Sequence, residues 1–416
     1  ADREQAGLVE PLSHRASVGD AARQLPRSLY IHIPFCVSKC PYCDFNSHVG
    51  LQHLYGAYAA ALVTEIRSWG REFGGGPLDT VFIGGGTPSL VPAAAIRQVM
   101  DAVRDSFQLA PDAEVTIEAN PHSAEAARID EWLEAGVTRL SLGVQSLDDP
   151  SLRFLERAHD AAEALRVMRR ARAAGLASLS FDLIYGIPGL STARWGEVVD
   201  EALAFGPDHV SAYELTPEDG TRLGADVRAG HTILPDADTQ LQQQAIAREK
   251  LMAAGFDHYE VSNWARPGHY SRHNLAYWSG VPYMAAGAGA HAFLHTPRVP
   301  GWAGPIPAGA RTLREWNVAA PAAYIAAVKA TGTAVSGSEW LDLATTASDL
   351  VMMGLRLRQG LDLAQLEGML PGLQAEVEVT ADRLVAQGLL ARAGSRLRTT
   401  TRGAEVLNRV AAEFLP

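Results

Sequence analysis

The sequence predicts an α/β protein, a partial (β/α)6 barrel followed by an α+β C-terminal domain resembling a winged helix. Three observations carry this. From residue 29 to about 254, short apolar runs alternate with longer amphipathic ones, the pattern of a parallel sheet built from βα units. The residues with chemical capacity fall where the apolar runs end, as in barrels whose sites form at the C-terminal ends of the strands. Past residue 341 the chain turns helical and then offers a short hairpin rich in threonine.

The expected strands are Leu29–Ile33, Thr80–Ile83, Glu114–Glu118, Arg139–Gly143, Leu179–Ile184 and Val210–Glu214. Between and after them lie Ala- and Arg-rich stretches expected to be helices: Tyr58–Trp69, Ala93–Phe107, Ser123–Ala135, Ala161–Ala174, Ala193–Phe205 and Thr239–Ala253. No seventh or eighth unit is equally clear. The expected domains are a mobile extension over 1–27, the barrel over 28–255, a connecting region over 256–335 and the last domain over 336–416. Residues 296–311, dense in Pro and Gly, read as an irregular connection.

The chain has 416 residues, 47% hydrophobic and 20% charged, an ordinary composition for a folded protein. Its net charge of −11 argues against a dedicated nucleic-acid binder, which needs clustered Lys and Arg. The winged-helix outline does not change this, because residues 341–416 hold eight Arg and no Lys against nine Asp and Glu. No apolar run approaches the roughly 20 residues of a membrane span, and no signal-peptide layout opens the sequence. The expected location is the cytoplasm, free or peripherally attached to a membrane.

All three cysteines lie in Cys36-Val-Ser-Lys-Cys40-Pro-Tyr-Cys43, the spacing C-x3-C-x2-C, just after the first strand. Thiolates select zinc, copper(I) or iron–sulfur clusters. Zinc would need a fourth ligand, for which His32 or His48 is near enough, and a redox C-x-x-C of Cys40 and Cys43 would leave Cys36 unexplained. A [4Fe-4S] cluster held by three cysteines keeps one iron open for a small molecule. One tight run of thiols favours the cluster over zinc, whose ligands come as two separated pairs.

Gly84-Gly-Gly-Thr-Pro88 follows the second strand, Glu118-Ala-Asn-Pro121 closes the third, Gln145 follows the fourth, Asp182 lies near the end of the fifth and Leu215 follows the sixth. The glycines either make a tight turn or let a ligand approach the main chain. A dinucleotide fingerprint is ruled out, since no glycine completes it three residues on.

The cysteine spacing with Tyr42 before the last thiol resembles the cluster motif of radical S-adenosylmethionine (SAM) enzymes. The wider string from Tyr30 to Phe45 resembles the oxygen-independent coproporphyrinogen III oxidases and their HemW-like relatives. The resemblance implies a [4Fe-4S] cluster on Cys36, Cys40 and Cys43, with SAM held by Tyr30, Tyr42, Gly85, Gly86, Thr87, Glu118, Gln145, Arg157, Asp182 and Leu215. It implies one-electron reductive cleavage of SAM, fed by a low-potential electron donor. True oxidases of this group carry one more cysteine two positions after the third; Phe45 stands there. His273-Asn-Leu-Ala-Tyr277-Trp278 matches an H-N-x-x-Y-W string of the HemW-like proteins, which points to heme at His273, Tyr277 and Trp278, with His291 a weaker candidate. The plain alternative is that these residues are core. The expected function is a heme-binding chaperone that passes heme to respiratory enzymes; the rival is a coproporphyrinogen III oxidase acting on porphyrinogen.

Overall fold

The structure, a computed structural model, describes residues 25–122, 128–295, 306–364, 367 and 373–414. Nearly all of the expected N-terminal extension, the start of the helix expected from Ser123 and most of the Pro/Gly-rich connection lie outside the described residues.

All six expected strands are present: β1 Ser28–Ile33, β2 Pro77–Gly85, β3 Gln108–Ala119, β4 Arg139–Gln145, β5 Ser178–Tyr185 and β6 His209–Glu214. They pair in parallel in sequence order, from Leu29 opposite Val81 through Phe181 opposite Val210. Helices Tyr55–Glu72, Ala93–Ser106, Ala161–Ala173, Thr192–Leu203 and Ala237–Ala253 separate or follow them. Three of these helices start where the chain supplies a cap. Asp160, Ser191 and Asp236 accept the N–H groups of Glu163, Arg194 and Thr239, satisfying donors that a helix start leaves open.

The sheet is larger than the sequence reading expected, with nine strands. Beyond β6 comes an antiparallel hairpin, β7 Asp257–His258 and β8 Asn263–Ala265. At the opposite edge β9, Met284–Ala286, pairs in parallel with β1. β9 is only Met-Ala-Ala, short and of weak strand propensity, so it left no signal in the sequence.

Side chains alternate across each strand, and the two faces have different tasks. Leu29, Ile31, Val81, Ile83, Leu140, Leu179 and Phe181 share one apolar core with Leu62, Ile66, Met100 and Trp195 of the helices. Full burial of each such side chain contributes roughly 1.5–3 kcal/mol. The other face carries Thr80, Thr116, Ser141, Ser180 and Ser211, buried but polar. A polar lumen inside an apolar jacket is suited to a charged ligand.

The N-terminal end of the strands is closed by helix Arg272–Trp278. The Glu114 carboxylate accepts the N–H groups of Arg272 and His273 at 2.9 and 3.1 Å, fixing the helix start beneath β3. Nearby, His209 joins Ser180 and the Tyr259 hydroxyl, each at 2.8 Å.

The region read as a connection contributes His291–His295, Ala310–Asn317 and helix Pro321–Thr331, and its two strands form a three-stranded antiparallel sheet with Val335–Asp342, which runs past the expected boundary at 335. The final segment has helices Leu343–Gly354, Leu373–Ala386, Thr401–Glu405 and Leu407–Ala412. A small sheet of Leu361–Asp362, Arg396–Thr399 and Leu390–Ala393 joins them. It has its own core, including Val351, Leu361, Leu384, Leu397 and Val410. No helix among the described residues is long and apolar enough to cross a membrane.

Candidate cluster and cofactor site

The cysteine loop leaves β1 at the barrel mouth and is tied down by its own polar groups. Lys39, one of three lysines in the chain, donates from Nζ to Phe45 C=O at 2.6 Å and to Ser47 Oγ at 2.8 Å. Asn46 Nδ2 donates to Ala288 C=O at 2.9 Å and Ala319 C=O at 3.0 Å, binding the loop to the segment after β9 and to the entry of helix Pro321–Thr331. Neither residue was singled out from sequence, although each lies within three positions of a cysteine.

The three cysteines are half-buried free thiols. Burial pushes the Cys36 thiol up, hydrogen bonds from Thr87 and Ser47 oppose the shift, and the nearby Cys43 and Cys40 sulfurs add to it. Three free thiols in one loop are a donor set suited to an iron–sulfur cluster. Among the described residues no group of three or more His, Cys, Asp or Glu side chains, the three cysteines included, is gathered about one metal position. The two histidines near enough in sequence to complete a zinc site, His32 and His48, are both hydrogen-bonded. The His32 ring is engaged on both nitrogens, by the Tyr30 hydroxyl at 2.9 Å and Asn46 C=O at 2.8 Å. His48 Nε2 is engaged by Asn46 Oδ1 at 3.0 Å.

A chain of polar contacts spans the mouth from one cysteine to another. Cys36 Sγ lies 3.5 Å from Thr87 Oγ1, which accepts from Asn120 Nδ2 at 3.0 Å. Asn120 Oδ1 accepts from Arg157 Nη2, whose Nη1 lies 3.6 Å from Cys40 Sγ. Arg157 Nη2 also reaches Gly143 C=O at 3.1 Å, while its Nε is buried with no hydrogen-bond partner among the described residues. Burial pushes the Tyr42 phenol up, and the nearby Arg157 guanidinium opposes the shift. Asn120 is a member of this set that the sequence reading passed over.

The glycines have packing reasons of their own. A Cβ on Gly85, at φ +115°, would stand 2.5 Å from the His32 ring, and one on Gly86 would stand 2.7 Å from Phe35 C=O. Their N–H groups are already committed: Gly85 to Glu118 Oε2 at 3.0 Å, Gly86 to Ile33 C=O at 2.8 Å and Thr87 to Phe35 C=O at 2.7 Å. A free carboxylate therefore finds no idle donor among these three amides.

Glu118 and Asp182 lie together in the lumen. Burial, then the neighbouring Asp182, pushes the Glu118 carboxyl up to about 7, against the Gly85 N–H. Burial also raises Asp182, while Ser211 and Ser141 hold it down, the latter by donating to both its oxygens at 3.1 Å. Tyr30 stacks on Phe82 with ring centroids 6.1 Å apart, and burial keeps its phenol protonated. Gln145, at the end of β4, has φ 63°, the left-handed region that costs a side-chain-bearing residue about 1–3 kcal/mol. Leu215 is 2% exposed, its N–H bonded to Tyr185 C=O at 2.9 Å.

His273, Tyr277 and Trp278 occupy the opposite end of the barrel. His273 is 0% exposed, its Nδ1 2.8 Å from Thr80 Oγ1 and its Nε2 2.8 Å from the Tyr277 hydroxyl. Both ring nitrogens are thus engaged, and burial pushes the imidazole down to about 3. Trp278 carries the Arg356 guanidinium over its ring at 5.6 Å. His291, by contrast, is exposed and stacks on Trp316 with ring centroids 5.8 Å apart.

Comparison with known proteins bears on the fold and the family. Residues 30–202 match the radical SAM superfamily and residues 341–406 match the HemN C-terminal domain. The heme chaperone HemW of Mycobacterium tuberculosis is 40% identical over 382 residues, 91% of this chain and 92% of that one. The mouse mitochondrial radical S-adenosyl methionine domain-containing protein 1 is 36% identical over 397 residues, covering 94% and 87% of the two chains. The solved structure of the radical SAM enzyme coproporphyrinogen III oxidase (HemN) from Escherichia coli has the same fold. It superposes with a TM-score of 0.78 over 95% of this chain and 92% of that one, at 23% identity. The identity to HemW across more than nine-tenths of both chains places this protein in the HemW family of the radical SAM superfamily.

Proposed function

We propose that this protein is a heme chaperone that holds a [4Fe-4S] cluster and SAM and passes heme to respiratory enzymes. The observation that carries the reading is the 40% identity to HemW over 91% of the chain. Phe45, 64% exposed where the oxidases have their further cysteine, weighs against the oxidase alternative.

In this reading Cys36, Cys40 and Cys43 hold three irons. Such a cluster, charged from a low-potential donor, supplies one-electron reduction, and the protein's part is to bind, orient and exclude water. Arg157, with an unsatisfied Nε at the mouth, is suited to a carboxylate of SAM. Glu118 and Asp182 accept from hydroxyls, and Gly85, Gly86, Thr87, Tyr30, Tyr42, Gln145 and Leu215 shape the cavity around them. Heme ligation by His273 requires one of its ring nitrogens to give up its present hydrogen bond, so that role goes with an opening of the barrel floor at helix Arg272–Trp278. The cytoplasm is the proposed location.

The test is a paired anaerobic assay on reconstituted protein. A chaperone takes up heme with a defined stoichiometry and leaves coproporphyrinogen III unchanged in the presence of SAM and reductant. Stoichiometric conversion to protoporphyrinogen IX would replace this reading with the oxidase.

A further inference from the structure

Arg157 reaches the barrel mouth from a strained helix ending. Helix Asp149–Phe154 closes with Glu156 N–H on Arg153 C=O at 3.1 Å and Arg157 N–H on Leu152 C=O at 3.0 Å. This pair of bonds is the Schellman ending, which puts the residue before its last donor in the left-handed region, where glycine is usual. Glu156 stands there at φ 51°, at a cost of about 1–3 kcal/mol, and its carboxylate accepts from Arg222. Gln145, closing β4 at φ 63°, is the other non-glycine residue with positive φ among the described residues.

Both strained segments lead to one spot. A Cβ on Gly143 would stand 2.8 Å from Gln145 Nε2, 3.4 Å from Asn120 Oδ1 and 3.6 Å from Arg157 Nη2. Glycine at 143 therefore leaves the room in which the Asn120 amide and the Arg157 guanidinium meet. Asn120 Oδ1 and Gly143 C=O accept from the same nitrogen, Arg157 Nη2, and so fix the plane of the guanidinium. Nη1 then lies beside Cys40 Sγ, and Nε is left as a buried donor without a partner among the described residues. The Asn120 amide is itself oriented by Thr87 Oγ1, which accepts from its Nδ2 at 3.0 Å. Both acceptors on Nη2 are neutral, so Arg157 keeps its charge. A carboxylate in place of the amide would pair with the guanidinium and compete with any ligand carboxylate.

We infer that Asn120 is a positioning residue, which aims Arg157 at a ligand carboxylate beside the cysteine loop while leaving the guanidinium its charge, in room that Gly143 provides. The inference deepens the SAM reading above and rests on it.

The experiment titrates the full chain, cluster reconstituted and reduced, with SAM, read by paramagnetic resonance with iron and sulfide content alongside. It compares wild type, Asn120→Ala, Asn120→Asp, Arg157→Met and the double variant Asn120→Ala/Arg157→Met. Asn120→Ala should weaken SAM binding about fivefold when Arg157 is present and have no further effect in the Arg157→Met background, because the amide acts through the guanidinium. Asn120→Asp, of the same shape but charged, should weaken it about tenfold or more. Iron and sulfide should stay at wild-type levels throughout. A merely structural role would give equal losses in both backgrounds or take the iron with it, and either result overturns the inference. Wild-type affinity in Asn120→Ala or in Asn120→Asp overturns it too. Unchanged affinity in Arg157→Met is a separate failure, that of the SAM reading at Arg157, and the inference falls with it. If the alanine variants do not fold, Asn120→Asp and Gly143→Ala decide the matter: both should lose SAM affinity with iron retained, and wild-type affinity in either contradicts the inference.

Discussion

Arg157 Nη1 lies 3.6 Å from Cys40 Sγ, so a guanidinium from the chain after β4 meets a cysteine from the loop after β1 at the mouth of the barrel. Its other nitrogen holds Asn120 and Gly143. An Arg in this position is suited to a ligand carboxylate, whereas the thiols bind iron without it. Arg157→Met is expected to weaken SAM binding about tenfold or more and to leave the iron content unchanged. Titration of the reduced cluster's paramagnetic resonance spectrum with SAM measures this; an unchanged titration would remove Arg157 from the SAM site.

Glu118 predicts a pH dependence of stability. Its carboxyl, raised from the usual 4.5 to about 7, holds a proton in the folded state that the unfolded chain has already lost between those values. The native state therefore loses stability as pH rises through that window. Glu118→Gln keeps an acceptor for Gly85 N–H and abolishes the ionisation. The variant should match wild type near pH 5 and exceed it near pH 8 by about 1–3 kcal/mol, read from urea unfolding. A variant less stable than wild type at pH 8 would contradict the buried-charge account.

Asn46 is expected to act as a strut. Asn46→Ala removes its hydrogen bonds to Ala288 and Ala319 and should cost about 1–3 kcal/mol. Hydrogen exchange should rise in residues 36–49 while the β3–β5 strands stay protected. Uniform loss of protection would mean that Asn46 supports the whole fold rather than the loop.

His273→Ala should destabilise the protein by about 2–4 kcal/mol, because it opens a cavity and strips partners from Thr80 and Tyr277. Heme uptake counted per folded molecule separates that effect from ligation. Loss of uptake in fully folded variant assigns the ligand; retained uptake moves it elsewhere, with exposed His291 the next residue to test.

Much of this was legible in the sequence because it is local. Leu29–Ile33 followed at once by three closely spaced cysteines put a strand and its loop in order without reference to the rest of the chain. The alternation of Val81 and Ile83 with Thr80 and Phe82 likewise announces a two-faced strand. What stayed hidden depends on contacts between distant segments. Met284-Ala-Ala286 is a strand only because β1 offers it an edge, and Asn120 joins the mouth only because Thr87 and Arg157 lie on either side. The burial of His273 is likewise set by Thr80 and Glu114, more than 150 positions earlier in the chain.

The most direct measurement is iron, acid-labile sulfide and zinc analysis of anaerobically reconstituted protein, joined to paramagnetic resonance with and without SAM. Four irons and four sulfides per chain, a signal altered by SAM, and loss of both in Cys36→Ala, Cys40→Ala or Cys43→Ala are the predicted result. One zinc per chain with no sulfide, or a cluster signal indifferent to SAM, would contradict it.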